Sequence, residues 1–123
     1  MGSFMELDVW KKSRLLRNNI SGLVKAFPTE ERYRLSDQII RSSRSIGNNI
    51  AEGHGRYHYL DASKFLVNAR GSAAETIDHL IIALDEEYVN AETFKKMKDD
   101  CEECMKMING YIKYLKSQIP DSK

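Results

Sequence analysis

Residues 65–84 read Phe65-Leu66-Val67-Asn68-Ala69-Arg70-Gly71-Ser72-Ala73-Ala74-Glu75-Thr76-Ile77-Asp78-His79-Leu80-Ile81-Ile82-Ala83-Leu84. Within this stretch Phe65, Leu66, Ala69, Ala73, Thr76, Ile77, Leu80 and Leu84 recur at intervals of three and four residues. That spacing lays them along one side of an α-helix, and a strand would instead alternate every second residue. The next segment repeats the pattern more strictly. Phe94, Met97, Cys101, Cys104, Ile108, Tyr111 and Leu115 alternate steps of three and four, as the seam of a packed helix requires. Asn90 is placed to cap this helix, and Pro120 follows its end.

Two earlier segments carry the same period. Trp10, Leu16, Ile20, Leu23, Val24 and Phe27 define the first, with Asp8 as its expected N-cap and Pro28 as its stop. Leu35, Ile39, Ile46 and Ile50 define the second. Thr29 or Ser36 could cap it, Glu30 and Glu31 suit its first turn, and Gly53 and Gly55 mark its end. No stretch alternates with period two. Four helices of roughly 18–28 residues, about 27–42 Å long, are joined by short connections near 28–34, 53–59 and 86–90. Short connections force neighbours to run antiparallel. The expected architecture is therefore all-α: an up-down-up-down four-helix bundle over residues 8–119, with tails at 1–7 and 120–123.

Composition agrees with this. The chain has 123 residues, 41% hydrophobic and 30% charged, enough for one domain and one core. The net charge of +1 hides an asymmetry, since residues 1–56 balance to +4 and residues 57–123 to −3. Such a dipole can steer a partner or set a basic face of one copy against an acidic face of another. The N-terminus has no apolar segment of a secretory signal, and no run is long enough to span a membrane. The expectation is a cytoplasmic protein with reduced thiols.

Small residues interrupt the second and third helices at Ser42, Ser43, Gly47, Gly71, Ser72 and Ala73. Glycine inside a helix costs about 1 kcal/mol against alanine. The reading favoured here is a close helix–helix approach at Gly71-Ser72.

The end of the second helix, Ser45-Ile46-Gly47-Asn48-Asn49-Ile50-Ala51-Glu52-Gly53-His54-Gly55-Arg56, resembles the signature of a known family. These are the four-helix-bundle proteins encoded in intervening sequences of bacterial large-subunit ribosomal RNA genes. Leu35-Ser36-Asp37-Gln38-Ile39, Arg41-Ser42, Phe65-Leu66, Ala69-Arg70-Gly71-Ser72 with Glu75, Asp8-Val9-Trp10 and Phe27-Pro28 match in the same order. The resemblance spans about residues 8–118. It implies a bundle that assembles into a ring-like homopentamer. It also implies kinship with the accessory proteins of diversity-generating retroelements, which bind nucleic acid and a reverse transcriptase through a basic surface. Those accessory proteins are strongly basic, whereas this chain is near neutral.

The first helix carries Lys11, Lys12, Arg14, Arg17 and Lys25 with no acidic residue between Val9 and Thr29. Lys11, Arg14, Asn18, Ser21 and Lys25 step along one face. Arg34, Arg41 and Arg44 add charge from the second helix. A stripe of this kind can track phosphates, releasing a counterion at each contact. An ordinary solvated face is the competing reading. Repetition of the patch around an oligomer would favour binding by avidity.

Asn49, Glu52, Gly53, Arg56, Gly71, Ser72 and Glu75 are expected to form a structural or interface network between helices two and three. In it Glu75 faces Arg41 or Arg56, because buried charge must be paired. A catalytic carboxylate pair is the less favoured alternative. Cys101-Glu102-Glu103-Cys104 has the spacing of half a zinc site, but the other half is missing and both thiols fall on the seam, so they read as core. His54 and His58 share a turn without further ligands. Glu75 and His79 are four apart, unlike the Glu-x-x-His of di-iron bundles. Gly53-His54-Gly55 lacks the lysine of a phosphate loop. The expected function is non-enzymatic, with no metal, cofactor or small-molecule substrate. Its expected partners are further copies of the chain and RNA or DNA, beside a reverse transcriptase. A protein-interaction module without nucleic acid is the alternative, and a metal-dependent enzyme the third reading.

Overall fold

The computed structural model describes residues 2–119, which form α1 (Asp8–Val24), α2 (Leu35–His54), α3 (Tyr59–Asp85) and α4 (Ala91–Ser117). One-turn 3₁₀ helices at Phe4–Glu6 and Thr29–Glu31 precede α1 and α2. There is no strand among the described residues. The expected stop at Pro120 and the 120–123 tail lie outside them.

The helices pack around a closed square. α1 touches α2 and α4, and α3 touches the same two helices across the core. Ser42 pairs with Thr76 and Ser45 with Ser72, so residue numbers rise on α2 as they fall on α3, which fixes these helices antiparallel. Tyr88, after α3, donates to Glu31, before α2, and so brings the first and third connections to one end. His54 meets Tyr111 and the Gly2 carbonyl at the other. The result is the up-down-up-down four-helix bundle. Its axis is filled by Leu16, Ile20, Ile39, Ile46, Ile50, Leu66, Leu80, Cys101, Cys104 and Ile108, all fully buried. Burial pushes the Cys101 thiol up to about 12 and Cys104 to about 11, so neither ionises near neutrality.

Helix ends depart from expectation in instructive ways. Asp8 is not the N-cap of α1; Leu7 is, without a side-chain bond, and Asp8 sits in the first turn. α1 ends at Val24, before the expected stop, because Lys25, Ala26 and Phe27 take tighter i→i−3 bonds. This turn delivers Phe27 into the core against Tyr88, with ring centroids 5.5 Å apart. Neither Thr29 nor Ser36 caps α2. Arg34 holds the cap position without a side-chain bond, and Glu31 reaches forward to accept from the Leu35 amide at 3.2 Å. Asn90 does cap α4, accepting from the Thr93 amide at 2.7 Å.

The close approach expected at Gly71 is not there. A Cβ on Gly71 would meet nothing within 4 Å, because that residue faces outward. The glycines that permit contact are Gly53 and Gly47. A Cβ on Gly53 would stand 3.1 Å from the Ala62 carbonyl oxygen, and one on Gly47 would stand 2.9 Å from Ser13 Oγ.

The polar network between α2 and α3 is made of neutral groups. Ser42 and Thr76 share a hydrogen bond of 2.8 Å, Ser72 donates to Ser45 at 2.9 Å, and Asn49 donates to the Ser45 carbonyl and hydroxyl. The charged members expected in it lie outside. Arg56 pairs with Glu52 along α2, Arg41 with Asp37, and Glu75 with His79 along α3. Hydroxyls fit a narrow helix contact and carry no charge to desolvate, which is why they displace ion pairs there.

Candidate nucleic-acid interface

Some basic residues are held in ion pairs and others are not; on α4, Lys106, Lys113 and Lys116 have no acidic partner among the described residues, and Lys106 lies beside Asp99, Glu102 and Glu103. On α4, Lys95, Lys96 and Lys98 are each tied to an acid four residues on, at 2.8, 3.0 and 2.9 Å. Lys12 crosses from α1 to Asp100 of α4 at 3.3 Å, with both side chains about one-fifth exposed. Lys11, Arg14, Arg17, Lys25, Arg34 and Arg44 have no such partner among the described residues. Arg41 keeps a local pair with Asp37 at 3.1 Å, largely exposed to solvent, where such pairs contribute little.

Lys11, Arg14 and Asn18 are exposed on α1 and Lys25 is exposed at its C-cap, with Ser21 half-buried between the last two. Fourteen residues separate Lys11 from Lys25, so the row runs about 21 Å along the helix at 1.5 Å per residue. Arg34 is exposed at the N-cap of α2 and Arg44 is exposed on α2.

Arg17 does not stand in this row. It lies half-buried in an open recess of about 360 Å³ between α1 and α2, facing Arg44 of the neighbouring helix. Trp10, Gly47, Asn48, Ala51 and Phe4 complete the walls. Phe4 packs edge-on against Trp10 with centroids 5.2 Å apart, and the Arg14 guanidinium lies 5.8 Å over the same indole. The structure thus gathers Arg14, Arg17 and Arg44 around one tryptophan, while Lys11, Lys25 and Arg34 flank this cluster along the helices. Sequence reasoning missed Trp10, Gly47 and Asn48 as companions of the arginines. The available signal was the seven-residue spacing of Trp10 and Arg17, which sets both on the face of α1 turned toward α2.

The other candidates form no reaction centre. His54 donates from Nε2 to the Gly2 carbonyl and accepts from the Tyr111 hydroxyl, and His58 sits exposed at the cap of α3. Among the described residues no three or more His, Cys, Asp or Glu side chains are arranged to hold a metal. None of the described helices is long and apolar enough to cross a membrane.

The model of the 23S rRNA-intervening sequence protein family matches residues 5–110. None of the curated proteins matches the chain. Among solved structures, a protein of unknown function from the S23 ribosomal protein family of Bacteroides thetaiotaomicron is 31% identical to it. The similarity covers 85% of this chain and 98% of that one, with a TM-score of 0.79. Neither relative belongs to a known enzyme family. Nearly the whole bundle lies inside the matched region, from the 3₁₀ turn before Trp10 to within two turns of the end of α4, and the chain belongs to the 23S rRNA-intervening sequence protein family.

Proposed function

We propose that this protein is a non-enzymatic bundle that self-associates and presents the basic α1/α2 face to the phosphate backbone of RNA or DNA. The observation that carries this reading is a group of cations without acidic partners among the described residues, Lys11, Arg14, Arg17, Lys25, Arg34 and Arg44, along and beside an α1 whose only acidic residue is Asp8. Unpaired surface cations on one face attract polyanions, and each phosphate contact releases condensed counterions. Nothing on this face is arranged to read base edges, so binding is backbone-directed.

Self-association has its own support. α3 exposes Leu60, Val67, Ala74 and Ile81, seven residues apart, with Leu60 73%, Val67 45% and Ile81 40% accessible. Gly71 lies open among them. A seven-residue apolar row on the outside of a bundle whose inner seam is already filled suits burial against another copy. The family resemblance favours five copies in a ring, which would repeat the basic face by symmetry and add weak contacts into avidity.

Filter binding over a salt series tests the nucleic-acid reading. Affinity for an RNA or DNA oligonucleotide should fall steeply from 50 to 200 mM salt, with a log–log slope of about −0.7 to −0.9 per phosphate neutralised. Lys11→Glu with Arg14→Glu should abolish binding and leave helicity unchanged. Binding that ignores salt, or survives the double reversal, overturns the reading.

A further inference from the structure

We infer that the recess between α1 and α2 is a seat for a single phosphate oxyanion, held by the guanidinium groups of Arg17 and Arg44 with the Asn48 amide and the Trp10 indole N–H. The inference rests on the nucleic-acid reading only for the source of that phosphate. The preference for an oxyanion follows from the walls.

No carboxylate lines the recess. Arg17 and Arg44 both line one open volume of about 360 Å³, and neither has an acidic partner among the described residues. Like charges brought together in this way repel, and an anion between them turns the repulsion into two attractions. Arginine suits the task, because its planar fork meets phosphate oxygens two at a time.

The remaining walls supply donors. Asn48 carries an amide. Trp10 Nε1 stands 3.5 Å from the place a Gly47 Cβ would occupy, so the missing side chain keeps the indole N–H uncovered. Ser13 Oγ donates to the Trp10 carbonyl at 2.7 Å, and the indole N–H has no hydrogen-bond acceptor among the described residues. Phe4 against the indole fixes its plane. A tetrahedral oxyanion satisfies such a set of donors, and an apolar or cationic ligand does not.

The chain has a single tryptophan, and it forms this wall, so its fluorescence reports occupancy directly. The full chain is titrated with inorganic phosphate at constant ionic strength against chloride, and separately with a short oligonucleotide. The expected result is a saturable change in Trp10 emission at millimolar phosphate, weakened at least about tenfold in Arg17→Gln and in Arg44→Gln. Lys113→Gln, exposed on α4 and outside the recess, should keep the wild-type phosphate response, and circular dichroism of every variant should match the parent.

The outcomes separate the two claims. Phosphate saturation that needs both arginines, without oligonucleotide binding, supports the seat with a free phosphate as its occupant and removes the nucleic-acid reading. Oligonucleotide binding that is unchanged in both arginine variants, with no saturation by phosphate, overturns the seat and leaves that reading standing. An emission change matched by chloride overturns the seat as well.

Discussion

Glu87 holds a backbone φ of 65°, the left-handed region that suits glycine. It does so because the chain must reverse after α3: the Glu87 amide bonds the Leu84 carbonyl and the Tyr88 amide bonds the Ala83 carbonyl, closing the helix end on itself. A side chain there costs about 1–2 kcal/mol, partly offset by the extra unfolded-state freedom of glycine. Glu87→Gly should therefore raise stability by about 0.5–1 kcal/mol in chemical denaturation. Gly53→Ala should do the opposite. Its Cβ would press on the Ala62 carbonyl, backbone that cannot step aside, and overpacking of this kind costs about 1–3 kcal/mol. If both changes shift the midpoint the same way, the helix contacts described for these positions are wrong.

At the scale of elements, Glu31 and Tyr88 clamp the first connection to the third with a 2.7 Å bond. The Tyr88 hydroxyl and the Leu35 amide hold Glu31 below its ordinary 4.5, and Glu31 lifts Tyr88 to about 12. A lowered carboxyl contributes stability above its ordinary value that is lost as pH falls through the folded one. The raised phenol contributes below pH 10 and loses that as pH passes about 12. Tyr88→Phe should thus lower the melting temperature at pH 7, and the gap to wild type should narrow once Glu31 is protonated. A gap that stays constant into acid would show the clamp to be unimportant. On α3 the outward row makes its own prediction. Leu60→Glu with Val67→Glu should reduce the sedimenting species to the 14.2 kDa chain without loss of helix.

The elements were readable from sequence because periodicity is a local property. Ile39, Ile46, Ile50, Leu66, Leu80, Cys101, Cys104 and Ile108 all reached the core from spacing alone, as did the Asn90 cap from its residue type. What spacing could not supply was direction between helices. Gly71 and Gly47 look alike in the chain, yet one faces solvent and the other lies beneath Trp10. Spacing leaves Arg17 off the Lys11–Lys25 face, but only the neighbouring α2 sets it in a recess with Arg44, and Glu75 found a partner on its own helix because a hydroxyl ladder already filled the contact. Helix α1 ends early for a tertiary reason too: Phe27 gains more in the core than one further helical turn would return.

For the whole molecule, the account makes one demand: the same particle must be a multimer and must hold nucleic acid by charge. Size-exclusion light scattering of the full chain mixed with an oligonucleotide, run at 50 and at 200 mM salt with absorbance at 260 nm, reads both at once. The account predicts a protein mass several times 14.2 kDa at both salts, with the oligonucleotide riding on it at the lower salt and released at the higher. A 14.2 kDa particle that elutes apart from the oligonucleotide at both salts would contradict it.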